Sequence, residues 1–321
     1  MLRILWRNRD SAGKAIYFGE LIRKKIRAPA KINLHLSVGA KRPDGFHAIE
    51  SVFVPVSLYD TIDFQLSPRF EFSVAITGMD GVPLEKNLMY KAARLFHEKT
   101  GLGFSLNIGI EKNIPQGAGL GGGSSNAAAI LNMLNEASGT PLPCGALLDM
   151  AARIGSDVPF FIEGKPAWVT GRGETLTPFE LKNPLFFVLV KPLFDSGTAE
   201  AYRLLDAARS RRENGGNGQK TLSPATLTAA LGKPPAQWPF HNDFQDVFLD
   251  GRCPCSGEYR QLLSDLRESG APFSALSGSG SAVFGVYESE NAAAHAAARL
   301  QNQHPFVHAC ATCRGGETGA A

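Results

Sequence analysis

Pro115-Gln116-Gly117-Ala118-Gly119-Leu120-Gly121-Gly122-Gly123-Ser124-Ser125-Asn126-Ala127-Ala128-Ala129 is the stretch whose reading decides the fold. Five glycines within seven residues (117–123) cannot form a packed strand or a mid-helix segment, because glycine gives up the most backbone entropy on folding and packs nothing. The run ends in two serines, preferred helix caps, and passes into good helix formers. Ala127, Ile130, Leu131 and Leu134 follow the i, i+3, i+4, i+7 spacing of a half-buried helix that stops near Gly139 and Pro141. A side-chain-poor loop feeding a helix N-terminus turns unpaired amides and the positive end of a helix dipole toward one point, and phosphate is the natural occupant. No Gly-Lys-Ser/Thr follows the glycines, so this is not a Walker loop. No acidic residue closes a second strand about twenty positions on, so it is not the dinucleotide fingerprint either.

Outward from this loop the pattern is mixed. Alternation over Ile32–Val38 predicts a strand, and Lys41-Arg42-Pro43-Asp44-Gly45 a turn. Further strands are expected at 49–58, 61–66, 70–76, 104–110, 167–170, 186–190, 282–286 and 306–311. Helices are expected at 87–100 (capped by Asn87, stopped by Gly101), 147–154, 259–268 and 292–300. Residues 209–220 are basic and Gly/Asn-rich and read as a mobile loop. Strands and helices mix without strict alternation, which favours α+β over a doubly wound sheet. The expected organisation is a basic extension at 1–27, an N-terminal domain at 28–182, a second domain at 183–313 and a tail at 314–321.

With 321 residues, 44% apolar and 20% charged, the chain has room for two ordinary domains. No apolar run reaches the roughly 18 residues that span a bilayer. The net charge of +3 is local: residues 1–27 carry eight Lys or Arg against Asp10 and Glu20, and the remainder is net acidic. That remainder has no basic field for nucleic acid. The arm lacks the apolar core of a secretory signal; it reads as a basic tail or a start-codon extension in preference to an organelle presequence, and a cytoplasmic protein is expected. Cys253-Pro-Cys255 and Cys310-Ala-Thr-Cys313 have poor zinc spacing and read as reduced thiols.

Two charged residues beside apolar segments extend binding to transfer. Lys31 lies in Ala-Pro-Ala-Lys-Ile-Asn, just before a strand, and Asp157 in Gly-Ser-Asp-Val-Pro-Phe-Phe, where Pro159 limits helix formation. A carboxylate facing a lysine stays ionised and can take a proton from a hydroxyl, and the lysine can steady the moving phosphoryl group. Singly, a cap and a snorkelling surface lysine explain them as well.

Pro115–Ala129 resembles the central motif of the GHMP kinases, the galactokinase, homoserine, mevalonate and phosphomevalonate kinase superfamily. Pro29-Ala30-Lys31-Ile32-Asn33-Leu34, Arg42-Pro43-Asp44-Gly45-Phe46-His47, Gly155–Phe161 and Ser277-Gly278-Ser279-Gly280 resemble the branch whose acceptor is a cytidine-diphospho sugar alcohol. The five motifs, in order, span about residues 27–313. The resemblance implies an α+β fold of two domains, the first like ribosomal protein S5 domain 2 and the second ferredoxin-like, with the site in the cleft between them. The implied reaction moves the γ-phosphoryl of ATP, with Mg²⁺, onto the 2-hydroxyl of a cytidine-diphospho methylerythritol, a step of the non-mevalonate route to isoprenoid precursors.

By the same resemblance Lys31 and Asp157 are catalytic. Pro115, Gln116, Gly117, Ala118, Gly119, Leu120, Gly121, Gly122, Gly123, Ser124 and Ser125 hold ATP, with Asn87 near the adenine. Asn33, Phe46, His47 and Tyr202 bind the substrate. Phe46 stands where tyrosine is usual, keeping the aromatic face without the phenol. Ala118 stands where glycine is frequent, which requires a negative φ. Ser124 or Ser125 is expected to contact the metal, and no protein carboxylate ligand for Mg²⁺ is evident. Two other readings remain: a GHMP kinase for another small alcohol, against which Phe46-His47 argues, and a non-catalytic nucleotide sensor, against which the retention of both Lys31 and Asp157 argues.

Overall fold

The computed structural model describes residues 21–79, 81–139, 141–211 and 222–313. The expectations placed on residues 1–20, 212–220 and the 314–321 tail lie outside the described residues. The first half of the chain builds a mixed sheet from β1 (Ile22–Lys41), β2 (His47–Pro68), β3 (Ser73–Thr77), β4 (Phe104–Glu111), β5 (Ala167–Thr170) and β6 (Thr175–Pro178). The strand order is β3-β4-β2-β5-β6, with β1 paired antiparallel to β2. Helices α1 (Leu88–Thr100), α2 (Gly122–Ala137), α3 (Cys144–Ile154) and α4 (Val158–Glu163) pack with one another and, through α2, on β1 and β2.

Several elements follow directly from local chemistry. Asn87 caps α1 by accepting from the Met89 amide at 2.9 Å, and Gly101 ends it in the left-handed conformation at φ 69°. β1 is far longer than the strand predicted at 32–38, and it takes in Ile22–Arg27, which the charge pattern assigns to the extension. Pro29 is tolerated inside it because the ladder shifts register between Pro29 and Ala30. The two strands predicted at 49–58 and 61–66 are one bent strand, β2. The same shift, which opposes Pro29 to Tyr59 and Ala30 to Val56, carries it past the bend.

The second half forms a four-stranded antiparallel sheet of β7 (Phe186–Lys191), β8 (Phe273–Leu276), β9 (Val283–Tyr287) and β10 (Phe306–Ala311), ordered β10-β7-β9-β8. That order, with α8 (Ser256–Glu268) before β8 and α9 (Glu290–Leu300) before β10, is the ferredoxin-like arrangement. Inserted after β7 are α5 (Thr198–Arg211), α6 (Pro224–Leu231) and α7 (Asp243–Leu249). Arg209–Arg211, predicted as mobile loop, are the last turn of α5. There the Arg209 guanidinium donates to the Gly39 and Val38 carbonyls and to Asp243, which fixes the helix end to β1.

The two sheets meet through a shared apolar cluster in which Ile32, Leu34, Val54 and Val56 are buried against Phe187, Leu189 and Phe284. A parallel bridge between Leu36 and Asn242 and an antiparallel one between Val56 and Thr312 tie the halves together. The thiol expectation needs correction at one pair: Cys253 and Cys255 are joined in a disulfide, while Cys310 and Cys313 are buried thiols, as expected. Cys253 and Cys255 lie two apart across a turn with Cα atoms 5.2 Å apart, which puts their sulfurs within reach, a proximity that spacing rules for zinc do not test. No cluster of metal-ligating side chains occurs among the described residues.

Candidate active site

The glycine loop is built by alternation. Gly117, Gly119 and Gly121 have φ of 61°, 73° and 72°, while Ala118 and Leu120 between them are buried in the inter-sheet cluster. No described non-glycine residue has a positive φ, so Ala118 meets the condition set by its methyl group. The apolar side chains anchor the loop, and the glycines supply backbone conformations that a side chain would forbid. The carbonyls of the loop are consumed from behind. Gly117 accepts from Ser281 at 3.2 Å, Ala118 from Ala282 at 3.1 Å, Gly119 from the Ser277 hydroxyl at 3.2 Å and Leu120 from Lys31 at 2.9 Å. The amides of Gly119, Leu120 and Gly121 donate to no described residue, and those of Gly122, Gly123 and Ser124 are first-turn amides without an intrahelical partner. α2 thus starts at Gly122 with Gly121 as its N-cap, earlier than the Ser124-Ser125 cap predicted. A left-handed glycine opens the first turn, leaving the serines inside it.

Two adjoining cavities, of about 300 and 900 Å³, share Gly119, Gly121, Ser124 and Thr198. The smaller follows the loop from Pro115 to Ser124 and is closed by Met79, Leu88 and Lys112. The larger runs from Lys31, Asn33 and Asp157 out to Phe46, His47 and Tyr202. The predicted residues thus come together at these two cavities, except Ser125 and Asn87. Ser125 is buried with its hydroxyl unpartnered. Asn87 is buried as the α1 cap and donates to Met79 Sδ at 3.5 Å, so its neighbours, rather than its amide, line the smaller cavity.

In the larger cavity, the Lys31 ammonium lies 3.7 Å from Asp157 Oδ2, donates to Asn33 Oδ1 at 2.5 Å and sits 4.8 Å from the Phe53 ring centroid. Lys31 and Asn33 share a face because they are two apart on β1. Burial pushes the Lys31 pKa below the usual lysine value, and the facing Asp157 carboxylate opposes that shift. Asn33 in turn donates to Ser51 Oγ at 2.9 Å, and Ser51 donates to the His35 carbonyl at 2.5 Å, so the amide is held with its oxygen toward Lys31. Asp157 occupies the N-cap position of α4, yet its side chain caps nothing and is one-third exposed. The carboxylate that a cap would have used is free to face the cavity.

At the far end His47 Nε2 lies 2.8 Å from Asp206 Oδ1, and its ring stacks on Tyr202 with centroids 4.9 Å apart. Tyr202 packs edge-on against Phe244. Burial, with the Asp157 charge, pushes the Tyr202 phenol up to about 12, so it stays protonated. Phe46 is half-exposed at the rim.

Sequence reasoning missed the supports. Asp60, wholly buried at the bend of β2, accepts from the Asn113 and Ile114 amides and from Asn126 Nδ2, each at 2.9 Å, and from Lys112. It aims the chain entering the loop, and the only signal for it was a lone acid between two apolar strands. Asn242 caps α7 and donates to the Leu276 and Gly278 carbonyls at 2.8 Å, fixing the Ser277–Ser281 turn against the loop.

A loop of open amides lining one cavity, and a buried ammonium paired with a part-exposed carboxylate in the adjoining one, are the parts that phosphoryl transfer uses. Residues 87–165 match the family model for the GHMP kinases N terminal domain, and 241–305 that for the GHMP kinases C terminal. The protein is an ATP-dependent kinase of the GHMP class. A 4-diphosphocytidyl-2-C-methyl-D-erythritol kinase of Chloroherpeton thalassium is 36% identical over 292 residues, 88% of this chain and 95% of that one. One of Treponema pallidum is 40% identical over 268 residues, covering 83% and 90%. A solved 4-(cytidine 5'-diphospho)-2C-methyl-D-erythritol kinase superposes with a TM-score of 0.75 at 33% identity, over 91% of this chain and all of the other. The chain belongs to the family of 4-diphosphocytidyl-2-C-methyl-D-erythritol kinases.

Proposed function

We infer that this chain transfers the γ-phosphoryl group of ATP to the 2-hydroxyl of 4-diphosphocytidyl-2-C-methyl-D-erythritol, a step of the non-mevalonate route to isoprenoid precursors, in the cytoplasm and without a nucleic-acid partner. The observation that carries the reading is the Lys31–Asp157 pair, 3.7 Å apart, in a cavity that ends in aromatic side chains and shares Gly119, Gly121 and Ser124 with a loop-lined one. In this reading the amides of Gly119–Ser124 bind the ATP phosphates. Asp157 takes the proton of the acceptor hydroxyl, and Lys31, steered by Asn33, stabilises the charge that builds on the moving phosphoryl group. Phe46 and Tyr202 give aromatic faces for the cytosine. With Nε2 of His47 held by Asp206, its Nδ1 is left to read the base edge.

Mg²⁺ fits the donor set if ATP supplies most of its ligands, as this ion is usually held. Ser124, which lines both cavities, and the Asp157 carboxylate are the side chains that would hold it. When bound, it neutralises charge on the phosphates.

The test is a steady-state assay of the purified chain with ATP and, separately, the cytidyl substrate, mevalonate and homoserine. Turnover confined to the cytidyl substrate is expected; turnover of either acid with none of the cytidyl compound refutes the reading.

A further inference from the structure

The turn between β5 and β6, Gly171-Arg172-Gly173, is hydrogen-bonded at one point and passes close to the chain at another. The Gly171 carbonyl accepts from the Ile49 amide at 2.8 Å, and a methyl group on Gly173 would lie 3.4 Å from the Ser156 side chain. Ile49 is two residues past His47, and Ser156 directly precedes Asp157. The turn therefore bridges the base-reading end of the larger cavity and its reacting end. Arg172, exposed at the tip, lines that cavity, and its guanidinium sits 4.9 Å from the centre of the Phe46 ring.

The other cations of this wall separate into committed and open ones. Lys31 is engaged by Asn33 and Asp157, and Arg203 is held in a fork by both oxygens of Glu200. Arg172 forms no ion pair with a described residue, although its own amide is fixed by Glu174 at 2.5 Å. Lys41 also lines the cavity, at the end of β1, without contact to a ring. An open guanidinium, stacked on the base-facing aromatic and rooted beside the catalytic carboxylate, sits where the link between base and sugar alcohol must pass. A planar fork suits bidentate phosphate recognition while remaining stacked on an aromatic face, and an ammonium does not.

We propose that Arg172 recognises the diphosphate of the cytidine-diphospho acceptor while stacked on Phe46, and so sets the preference for a nucleoside diphosphate over the bare nucleoside. This rests on the acceptor reading given above.

Calorimetric titration of the full chain with CDP and with cytidine tests it, using Arg172→Ala, Arg172→Lys and Lys41→Ala. An exposed charge-assisted contact is worth about tenfold in affinity, so Arg172→Ala should weaken CDP by about that factor and cytidine by less than about twofold. Arg172→Lys should fall between, and Lys41→Ala should cost CDP less than Arg172→Ala does. Added salt should weaken CDP binding more steeply in the wild type than in Arg172→Ala. Equal losses for CDP and cytidine would mean that Arg172 acts only through Phe46, and an unchanged CDP affinity would mean that it does not act at all. A loss in Lys41→Ala as large as in Arg172→Ala would mean diffuse cavity charge. Each overturns the proposal and leaves the acceptor reading standing. A wild type that binds no CDP and does not phosphorylate the cytidyl substrate removes both.

Discussion

Replacing Asp60 by asparagine should cripple the nucleotide end of the site while leaving the acceptor end nearly untouched. Asp60 is wholly buried and uses both oxygens. Oδ1 accepts from the Asn113 and Ile114 amides, and Oδ2 from Lys112 and Asn126. In Asp60→Asn the remaining oxygen can keep both backbone amides. The new NH₂ then faces two donors. Asn126 can answer by turning its amide over, because its own Oδ1 is buried and has no partner as it stands, so the exchange costs little. Lys112 has no such answer: its ammonium loses the only carboxylate it pairs with among the described residues, at a side-chain exposure of 16%. Breaking a buried pair by removing one partner costs roughly 3–5 kcal/mol, and the partial exposure of Lys112 favours the lower end, about 3 kcal/mol. Urea unfolding measures that loss directly. Because residues 112–114 lead into Pro115 and Lys112 lines the smaller cavity, KM for ATP should rise more than KM for the acceptor. Adding Lys112→Met should shrink the penalty of Asp60→Asn, since no stranded charge is left. A single-variant cost below about 1 kcal/mol, or a penalty undiminished by Lys112→Met, would refute the reasoning.

Asp157→Asn should lower kcat by about 10²–10⁴ with the unfolding midpoint preserved, since this carboxylate caps nothing and is part-exposed; near-normal turnover removes it as the base. Gly119→Ala should unfold at lower denaturant and lose ATP affinity, because its φ of 73° strains any side chain and the methyl would lie 2.2 Å from the Ser277 carbonyl oxygen; Gly123→Ala, whose methyl meets only Leu88 at 3.6 Å, should be stable, and equal stability of the two variants would contradict this. Burial and the neighbouring His241 lower the His35 pKa to about 4, so between that value and the unfolded 6.5 the unfolded chain binds a proton that the folded one does not. Stability should then be full above pH 6.5 and fall by about 3 kcal/mol toward pH 4, with a slope that His35→Gln flattens; an unchanged slope in that variant would be the contrary result.

Chemistry that repeats along the chain was legible, and chemistry that arises only when segments meet was not. Asn87 and Gly101 bracket α1 as the sequence predicts, because capping is decided within a turn. The glycine loop and the helix it feeds were legible for the same reason, since left-handed glycines and a helix start are local chemistry. The joining of residues 49–66 into one strand was hidden, since Asp60 looks like a break until Lys112, Asn113, Ile114 and Asn126 arrive to satisfy it. Arg209 reads as part of a basic loop until Val38, Gly39 and Asp243 receive its guanidinium from elements 34 to 171 positions away. Ser51 has no signal at all, being one hydroxyl in an apolar strand, yet it decides which way Asn33 points. The Cys253–Cys255 disulfide was misread because spacing was weighed against zinc geometry rather than against a tight turn.

The loop that carries the strongest signature does not own its shape. Gly119 can lie where it does because a side chain there would strike the Ser277 carbonyl, and the loop carbonyls at 117 to 119 are occupied by Ser281, Ala282 and Ser277 from the other half of the chain. The turn that carries those second-half residues is itself held by Asn242, which donates to the Leu276 and Gly278 carbonyls and adjoins the His241 carbonyl that accepts from Leu36 on β1. The same strand presents Lys31, whose amide closes the circuit by donating to Leu120. With its carbonyls tied down from behind, the loop keeps its amides open, and under the proposed function little reorganisation is left for phosphate binding or for the transfer step. If the proposed site is the catalytic one, the contacts between the two halves belong to its apparatus although none of them touches a reacting atom, and loosening Asn242 should cost turnover as well as stability.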